Sequence, residues 1–403
     1  MTSHATVVGA GPAGLMAAER LARGGVAVTV FDRMPSPGRK LLMAGVGGLN
    51  LTHSEPLEAM LDRYGPARAG LASAITAFPP AALIAWCEGL GQPTFVGSSL
   101  RVFPRAMKAS PLLRAWLRRL DGLGVQFRLR HRWLGWDLDG HMVFDPPTPV
   151  LPGPVVLAMG GASWVRLGSD GAWATAFDPA LLAPFRPANC GFVAPWTAYL
   201  QRHAGTPLKR IAVSFAGRRV PGDATLTGAG LEGGPFYALS APLRDTIERD
   251  GAALPLLDLR PDLTADMVRQ RVAEPRRAQS LSTFLRKSVG LTAVAVALIR
   301  ECVGTPDDLV AAIKALPVRL TGTTGLDRAI STAGGLRMDA LQGWSVQEGV
   351  FVAGEMLDWE APTGGYLLQA SLSTGYAAGE AALGWIRNER TGIQAVALQQ
   401  HPE

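Results

Sequence analysis

The chain has 403 residues, enough, at roughly 100–200 residues per domain, for two or three folding units with a sizeable core. Apolar side chains make up 48% and charged ones 18%, which excludes a disordered chain. Basic side chains outnumber acidic ones by 39 to 33, and the net +6 permits a polyanionic partner without requiring one.

Ala5–Val8 is a short β-branched run that leads straight into Gly9-Ala10-Gly11-Pro12-Ala13-Gly14, after which Leu15–Arg23 reads as an Ala/Leu-rich helix. Val26–Phe31 follows as a second apolar strand and ends at Asp32. Strand, glycine turn, helix, strand and acid form a dinucleotide-binding arrangement. The first glycine makes the tight turn and the second lets backbone N–H groups reach a pyrophosphate at the helix N-terminus, where Pro12 and Ala13 stand. The third lets the helix pack on the strand, and the acid accepts from a ribose hydroxyl. Arg33, Arg39 and Lys40 return positive charge toward the phosphates. A simple NAD fold would pass directly into another helix and strand. Here a glycine-dense stretch from Ala44 to His53, with Gly47, Gly48 and Asn50, offers backbone that can lie against a flat ring, which favours FAD.

Helical patterns at about 56–64, 80–91 and 110–121 precede strands near 125–137 and 141–144. Val155–Met159 is a fully apolar strand of the kind a parallel sheet buries, and it runs into Gly160-Gly161. Gly168–Gly171 opens a short helix capped by Ser169 or Asp170. From about 185 the texture changes to strand-like runs at 190–196, 210–220 and 223–228, with Leu231–Tyr237 as a loop. Asp262–Leu316 is almost entirely helical, softened at Ser280–Phe284, and its apolar stretch Leu291–Ile299 reads as buried packing. Val350–Ala353 is a strand ending at Gly354-Glu355, and Gln369–Gly379 is a helix after Gly364-Gly365-Tyr366. The free N–H groups of such a helix N-terminus would stabilise the anion that forms at the N1–C2=O edge of a reduced flavin. The expected fold is α/β: a Rossmann-like FAD/NAD(P)-binding domain from 1–186 and 322–390, an inserted β unit over 187–260, a helical unit over 261–321 and a tail over 391–403.

Cys87, Cys190 and Cys302 are isolated, which argues against a disulfide framework, a zinc ligand pair or a CxxC dithiol and suits a cytoplasmic setting. The start lacks a basic n-region, and uncharged apolar stretches fall short of about 18–20 residues, so neither a signal peptide nor a membrane span is expected.

The blocks at 5–53, 101–110, 155–171 and 329–379, above all AGGL, GVFVAGEMLDW, TGGYLLQ and STGYAAG, resemble a family of FAD-binding flavoproteins labelled NAD(FAD)-utilising dehydrogenases or aminoacetone-oxidase-like proteins. That family includes a bile-acid Δ-reductase and a bacterial ribosomal-RNA dihydrouridine synthase. The resemblance implies an FAD domain built from both chain ends, with Gly9, Gly11, Gly14, Asp32, Arg39, Lys40, Gly354, Glu355 and Gly365 along the cofactor. It departs at one place: where family members commonly read GGGRCNLTN, Gly48 and Leu49 replace the arginine and cysteine, which marks a separate subfamily.

A second GxGxxG in strand context is missing after residue 50, as is CxxxxC, which argues against a dedicated nicotinamide domain and a disulfide reductase. NADH or NADPH would then visit the flavin transiently, or electrons would come from the substrate. The resemblance favours reduction of a conjugated C=C bond in a small or medium-sized molecule by flavin hydride, with an acid supplying the proton. His53, Tyr237 and Tyr366 are the candidate acids, an imidazole ordinarily titrating near 6.5, and Glu355 reads better as a ribityl or ribose ligand.

Two basic clusters suggest RNA as an alternative partner, with uridine in ribosomal RNA as the acceptor. One comprises Arg101, Arg105, Lys108, Arg114, Arg118, Arg119, Arg128, Arg130 and Arg132, the other Arg269, Arg271, Arg276, Arg277, Arg286 and Lys287. Solvated helix faces explain the same pattern. A third reading is a flavin-binding protein without turnover, for which only the changes at Gly48 and Leu49 speak.

Overall fold

A computed structural model describes residues 3–45, 47–276 and 278–399, with the backbone alone from 389 onward. The chain divides into two compact units, one running to Arg186 and resuming at Thr332, the other spanning Pro187–Ser331.

The first unit is organised by β1 (His4–Val8), α1 (Pro12–Arg23), β2 (Ala27–Asp32), α2 (Arg39–Ala44) and the short β3 (Thr52–His53). β1 and β2 pair in parallel, Val155–Leu157 lies on the other side of β1, and Gln126–Leu129 lies beyond β2. Val350–Val352 continues the parallel sheet beside Val155–Leu157, and Ser345–Gln347 closes that edge antiparallel. Both faces are covered. Val7, Val28, Val30, Val156 and Phe351 face one apolar cluster, while their chain neighbours Val8, Phe31, Leu157, Val350 and Val352 face the other. That period of two with no polar face explains why these strands read as continuous apolar runs.

α1 lies against the C-terminal helix Tyr366–Gln399. The approach needs glycine: a Cβ on Gly375 would fall 2.2 Å from the Ala13 carbonyl oxygen, and one on Gly379 3.1 Å from that of Ala17. On its other side α1 is anchored through Glu19, buried at 3% side-chain exposure. Its carboxylate accepts from Trp116 Nε1 at 2.8 Å, Trp86 Nε1 at 3.0 Å, Arg23 Nε at 2.9 Å and Arg119 Nη1 at 3.1 Å. A buried carboxylate is tolerable only with donors of this kind.

In the second unit a seven-stranded sheet runs in the order Leu316–Pro317, Leu256–Asp258, Pro207–Phe215, Arg218–Leu226, Gly230–Gly233, Phe192–Val193 and Gly322–Thr323. Helices Ala265–Val272, Leu281–Val289, Ala293–Val303 and Leu309–Lys314 share one apolar core with it. Gly322–Thr323 belongs to this sheet, so the dividing line falls at Ser331, beyond the expected 321/322.

Several elements differ from the sequence reading. The hairpin turn falls at Ala216-Gly217 rather than after 220. Leu231–Tyr237 is not a loop: Gly230–Gly233 is a strand and Gly234–Ala238 a short helix with Pro235 in its first turn. Ser280 does not soften a helix but begins one, its hydroxyl accepting from the Thr283 N–H. Arg68–Ala77 is a helix the composition did not advertise. The last helix starts at Tyr366 and runs through the first part of the expected tail to Gln399. Among the described residues no single helix is long and apolar enough to cross a membrane.

Candidate active site

The glycine turn between β1 and α1 assigns a different job to each glycine. Gly9, at φ 107°, donates to the Phe31 carbonyl at 2.7 Å, and a Cβ there would fall 2.3 Å from the Ala158 carbonyl oxygen. A Cβ on Gly14 would fall 1.9 Å from the Gly9 oxygen, so this glycine sets the helix-to-strand distance. Gly11 is the opposite case: a Cβ there meets nothing within 4 Å. With Gly11 as N-cap, Pro12 opening α1 and no side chain capping it, the first-turn N–H groups of Ala13 and Gly14 stand at the positive end of the helix. Asp32 closes the turn from β2, accepting from the Ala10 N–H at 2.6 Å and the Met34 N–H at 2.7 Å. Burial pushes its carboxyl above the usual range despite those bonds.

Chain segments far apart in sequence meet next to this turn. Lys40 Nζ donates to Glu355 Oε2 at 2.7 Å and to Ser163 Oγ at 3.2 Å. Gly354, at φ 77°, donates to Thr374 Oγ1 at 3.0 Å, and its Cβ would press on that of Ala13 at 2.9 Å. Gly160, at φ 78°, accepts from Trp173 Nε1 at 2.8 Å. Arg33 turns away, pairing with Asp170 and reaching the Val165 carbonyl at 3.3 Å. Arg39 donates to Ser36 Oγ at 3.3 Å, while its Nε is buried without a partner among the described residues. The same is true of Asn50 Oδ1.

The glycine loop before β3 and the glycine pair before the last helix form a second grouping. Gly47 has open space where a Cβ would stand, Gly48 has φ 113°, and Leu49 is fully buried, its N–H bonded to the Met107 carbonyl at 3.0 Å. Gly364 and Gly365 have φ 134° and 99°, and a Cβ on Gly365 would fall 2.5 Å from the Thr52 carbonyl carbon. Thr52 Oγ1 donates to Gln369 Oε1 at 2.6 Å, so β3 and the helix start are fixed together.

His53 and Tyr366 meet there with rings stacked, centroids 5.4 Å apart. Glu55, 6% exposed, lies beside both. It accepts from the Tyr366 hydroxyl at 2.6 Å and from Arg63 at 2.6 and 3.2 Å. Burial alone would raise the Glu55 carboxyl, but the bonds from Arg63 and Tyr366 outweigh it and hold the group below the ordinary range. The Tyr366 hydroxyl is pushed up by burial and by that carboxylate, and so stays neutral. His53 Nδ1 accepts from the Glu55 backbone N–H at 3.2 Å, which leaves the proton of a neutral ring on Nε2. Glu55 and Arg63 were missed in the sequence, where only the proximity of Glu55 to His53 hinted at them. Tyr237 belongs to the other unit, on the short helix Gly234–Ala238, with its hydroxyl pushed up by burial.

The basic clusters are partly spent on the fold. Arg119 is bound to Glu19, Arg132 approaches Asp170 at 3.9 Å, and Arg269 pairs with Asp266. Arg277 lies outside the described residues.

FAD fits this surface. The uncapped helix start with free space at Gly11 suits a pyrophosphate, Asp32 suits a ribose, and buried Arg39 Nε and Asn50 Oδ1 have hydrogen-bonding capacity that the protein does not use. Fold and site together define an FAD-dependent oxidoreductase. The chain belongs to the family of the HI0933-like protein Rossmann domain, whose model matches residues 3–381. It is 25% identical over 405 residues to the 3-dehydro-bile acid delta(4,6)-reductase of Clostridium scindens, covering 93% of this chain and 98% of that one. Solved structures that share its fold include a reductase and a dehydrogenase. A flavocytochrome c3 fumarate reductase in its open conformation has a TM-score of 0.53 at 16% identity, covering 95% of this chain and 78% of that one. The 3-ketosteroid delta1-dehydrogenase of Sterolibacterium denitrificans has a TM-score of 0.52 at 14% identity, covering 95% and 100%.

Proposed function

We propose that the enzyme reduces a conjugated C=C bond in a small or medium-sized molecule, with NADH or NADPH as the transient reductant. Bound FAD supplies hydride chemistry. The chain contributes the cradle and the proton. Gly11, Ala13 and Gly14 hold the pyrophosphate on backbone N–H groups, Asp32 the ribose, and Lys40 with Glu355 and the Gly364-Gly365 turn the remainder. The observation that carries the reading is the His53–Tyr366 pair, seated on a buried carboxylate between two glycine loops. Of the two, His53 is the better acid. Tyr366 already donates its proton to Glu55, whereas the protonated His53 ring, its Nδ1 3.7 Å from Glu55 Oε1, carries on Nε2 a proton that Glu55 does not claim. The reductase activity named for the Clostridium scindens relative supports the same direction of reaction.

Anaerobic stopped-flow tests this reading. The yellow holoenzyme is expected to bleach with NADH or NADPH and to regain its colour when a conjugated enone is added, with one equivalent of enone reduced per flavin. A protein that bleaches but cannot pass its electrons to any activated C=C bond is not this kind of reductase. One that neither nicotinamide bleaches overturns the choice of reductant.

A further inference from the structure

β3 pairs with Arg101–Pro104, which pairs in turn with Thr94–Val96, and the register sorts their side chains. Thr52 and Val102 are partners on the buried face. His53 is the partner of Arg101, and Phe103, two residues on, is the partner of Phe95. Alternation along the strands therefore places His53, Arg101, Phe103 and Phe95 together on the outward face. Arg101 is exposed, and its guanidinium has no ion pair or hydrogen bond among the described residues. Phe103 and Phe95 stack with centroids 5.8 Å apart, Phe95 being 37% exposed.

Both glycine loops border this face. A Cβ on Gly364 would lie 3.8 Å from Arg101 Nε, and one on Gly48 would lie 2.8 Å from Met107 Cε and 3.9 Å from Phe103 Cε1. The face is thus polar and cationic toward the glycine pair and apolar toward Gly48. At Gly48 the methionine methyl crowds the place a side chain would leave from. The positive charge this face presents comes from the Arg101 strand.

We propose that this face is the substrate platform, and that it selects a flat apolar molecule whose double bond is conjugated to an oxygen. The Phe103–Phe95 stack and Met107 carry the apolar body, Arg101 holds the oxygen, and His53 across the strand pair supplies the proton. This rests on the C=C reductase reading above. Bound FAD, once reduced by NAD(P)H, would supply the hydride for the C–H bond formed at the carbon remote from the carbonyl. The π electron pair moves toward the oxygen, where the guanidinium offsets the charge. Proton transfer from Nε2 of the His53 imidazolium, whose Nδ1 lies 3.7 Å from Glu55 Oε1, to the carbon next to the carbonyl then completes a saturated CH–CH unit and leaves the ring neutral.

The test uses oxidised holoenzyme with 2-cyclohexenone and a fused two-ring hexahydronaphthalenone as probes, binding being read from the shift of the flavin visible spectrum. Arg101→Gln is expected to weaken both probes about tenfold and to slow their reduction, with Arg101→Lys intermediate. Phe103→Ala is expected to weaken the two-ring probe about tenfold and leave the one-ring probe nearly unchanged, since about 1.4 kcal/mol of apolar contact is lost. Phe95→Ala, on the exposed strand, gives the same pattern more weakly and guards against a fold defect at Phe103. FAD content and photoreduction report on the cofactor site separately. If all variants keep FAD and bind both probes as the parent does, the platform is wrong and the reductase reading stands. If the parent binds neither probe, the proposed substrate class is wrong. If the parent binds no FAD, both readings fall.

Discussion

Lys40 and Glu355, 315 residues apart, form an ion pair with Nζ and Oε2 separated by 2.7 Å. The bond fixes the segment after β2 to the segment after Val350–Val352, two places where the chain leaves the parallel sheet on the side of the glycine turn. The side chains are only 25% and 14% exposed, which places the pair between a surface contact and a fully buried one, worth about 2 kcal/mol. Lys40→Met and Glu355→Gln should each cost about that much. The double variant should cost little more than either single one, because both remove the same interaction. Urea unfolding of the four proteins measures the coupling, and additive losses would mean the two groups act independently.

Gly11 and Gly14 should respond oppositely to a side chain. Valine at 11 enters open space on extended backbone, at φ −81° and ψ −179°, so the protein should fold and melt near the parent temperature. It should also be colourless, because the isopropyl group occupies the approach to the first-turn N–H groups. Valine at 14 must displace the Gly9 carbonyl from a 1.9 Å overlap and should prevent soluble expression. A Gly11→Val protein with one FAD per chain would remove the pyrophosphate from this turn.

How much of this was legible follows from sequence separation. The turn from Gly9 to Gly14 and the acid at 32 are local, since backbone conformation and one strand spacing dictate them. The Gly354-Glu355 and Gly364-Gly365 segments could also be read, because a strand ending in glycine needs a reason. The Glu55 site was not legible. Its partners Arg63 and Tyr366 are 8 and 311 residues away, and only the pairing of β3 against the glycine pair makes them neighbours. The helix Arg68–Ala77 was hidden for a related reason. Gly70 lowers its propensity but allows Met338 to pack, with the sulfur 2.7 Å from where a Cβ would stand. Ser280 was misread because a serine can interrupt a helix or cap the next one, and only the bond to the Thr283 N–H decides.

Glu19 holds α1 to helices Pro80–Glu88 and Ala109–Gly122 through the indole N–H groups of Trp86 and Trp116 and the guanidinium of Arg119. Removing the carboxylate leaves all of these donors without their acceptor. Glu19→Ala should therefore cost about 3–5 kcal/mol. Glu19→Gln retains one acceptor oxygen and should cost less. The measurement is the urea midpoint at constant slope. A loss below about 1 kcal/mol in Glu19→Ala would show that the donors find other partners.

Glu55 links stability to pH. Its carboxyl is held below the usual value of 4.5 against the opposing effect of burial, by bonds from Arg63 and Tyr366 and by the charge of His53. The folded state therefore favours the ionised form more than the unfolded chain does. Glu55 contributes its full stability above the ordinary glutamate range. As pH falls, the unfolded chain takes up the proton first, and the contribution is lost as pH passes through the lower folded value. Glu55→Gln has no such dependence. The gap in melting temperature between the parent and this variant should be widest at neutral pH and close steadily below pH 4.5. Tyr64, whose hydroxyl donates to the Tyr366 carbonyl at 2.9 Å, stays neutral throughout and leaves the trend unaltered. A gap that remains constant down to the acid transition would mean that Arg63 and Tyr366 do not stabilise the Glu55 carboxylate in solution.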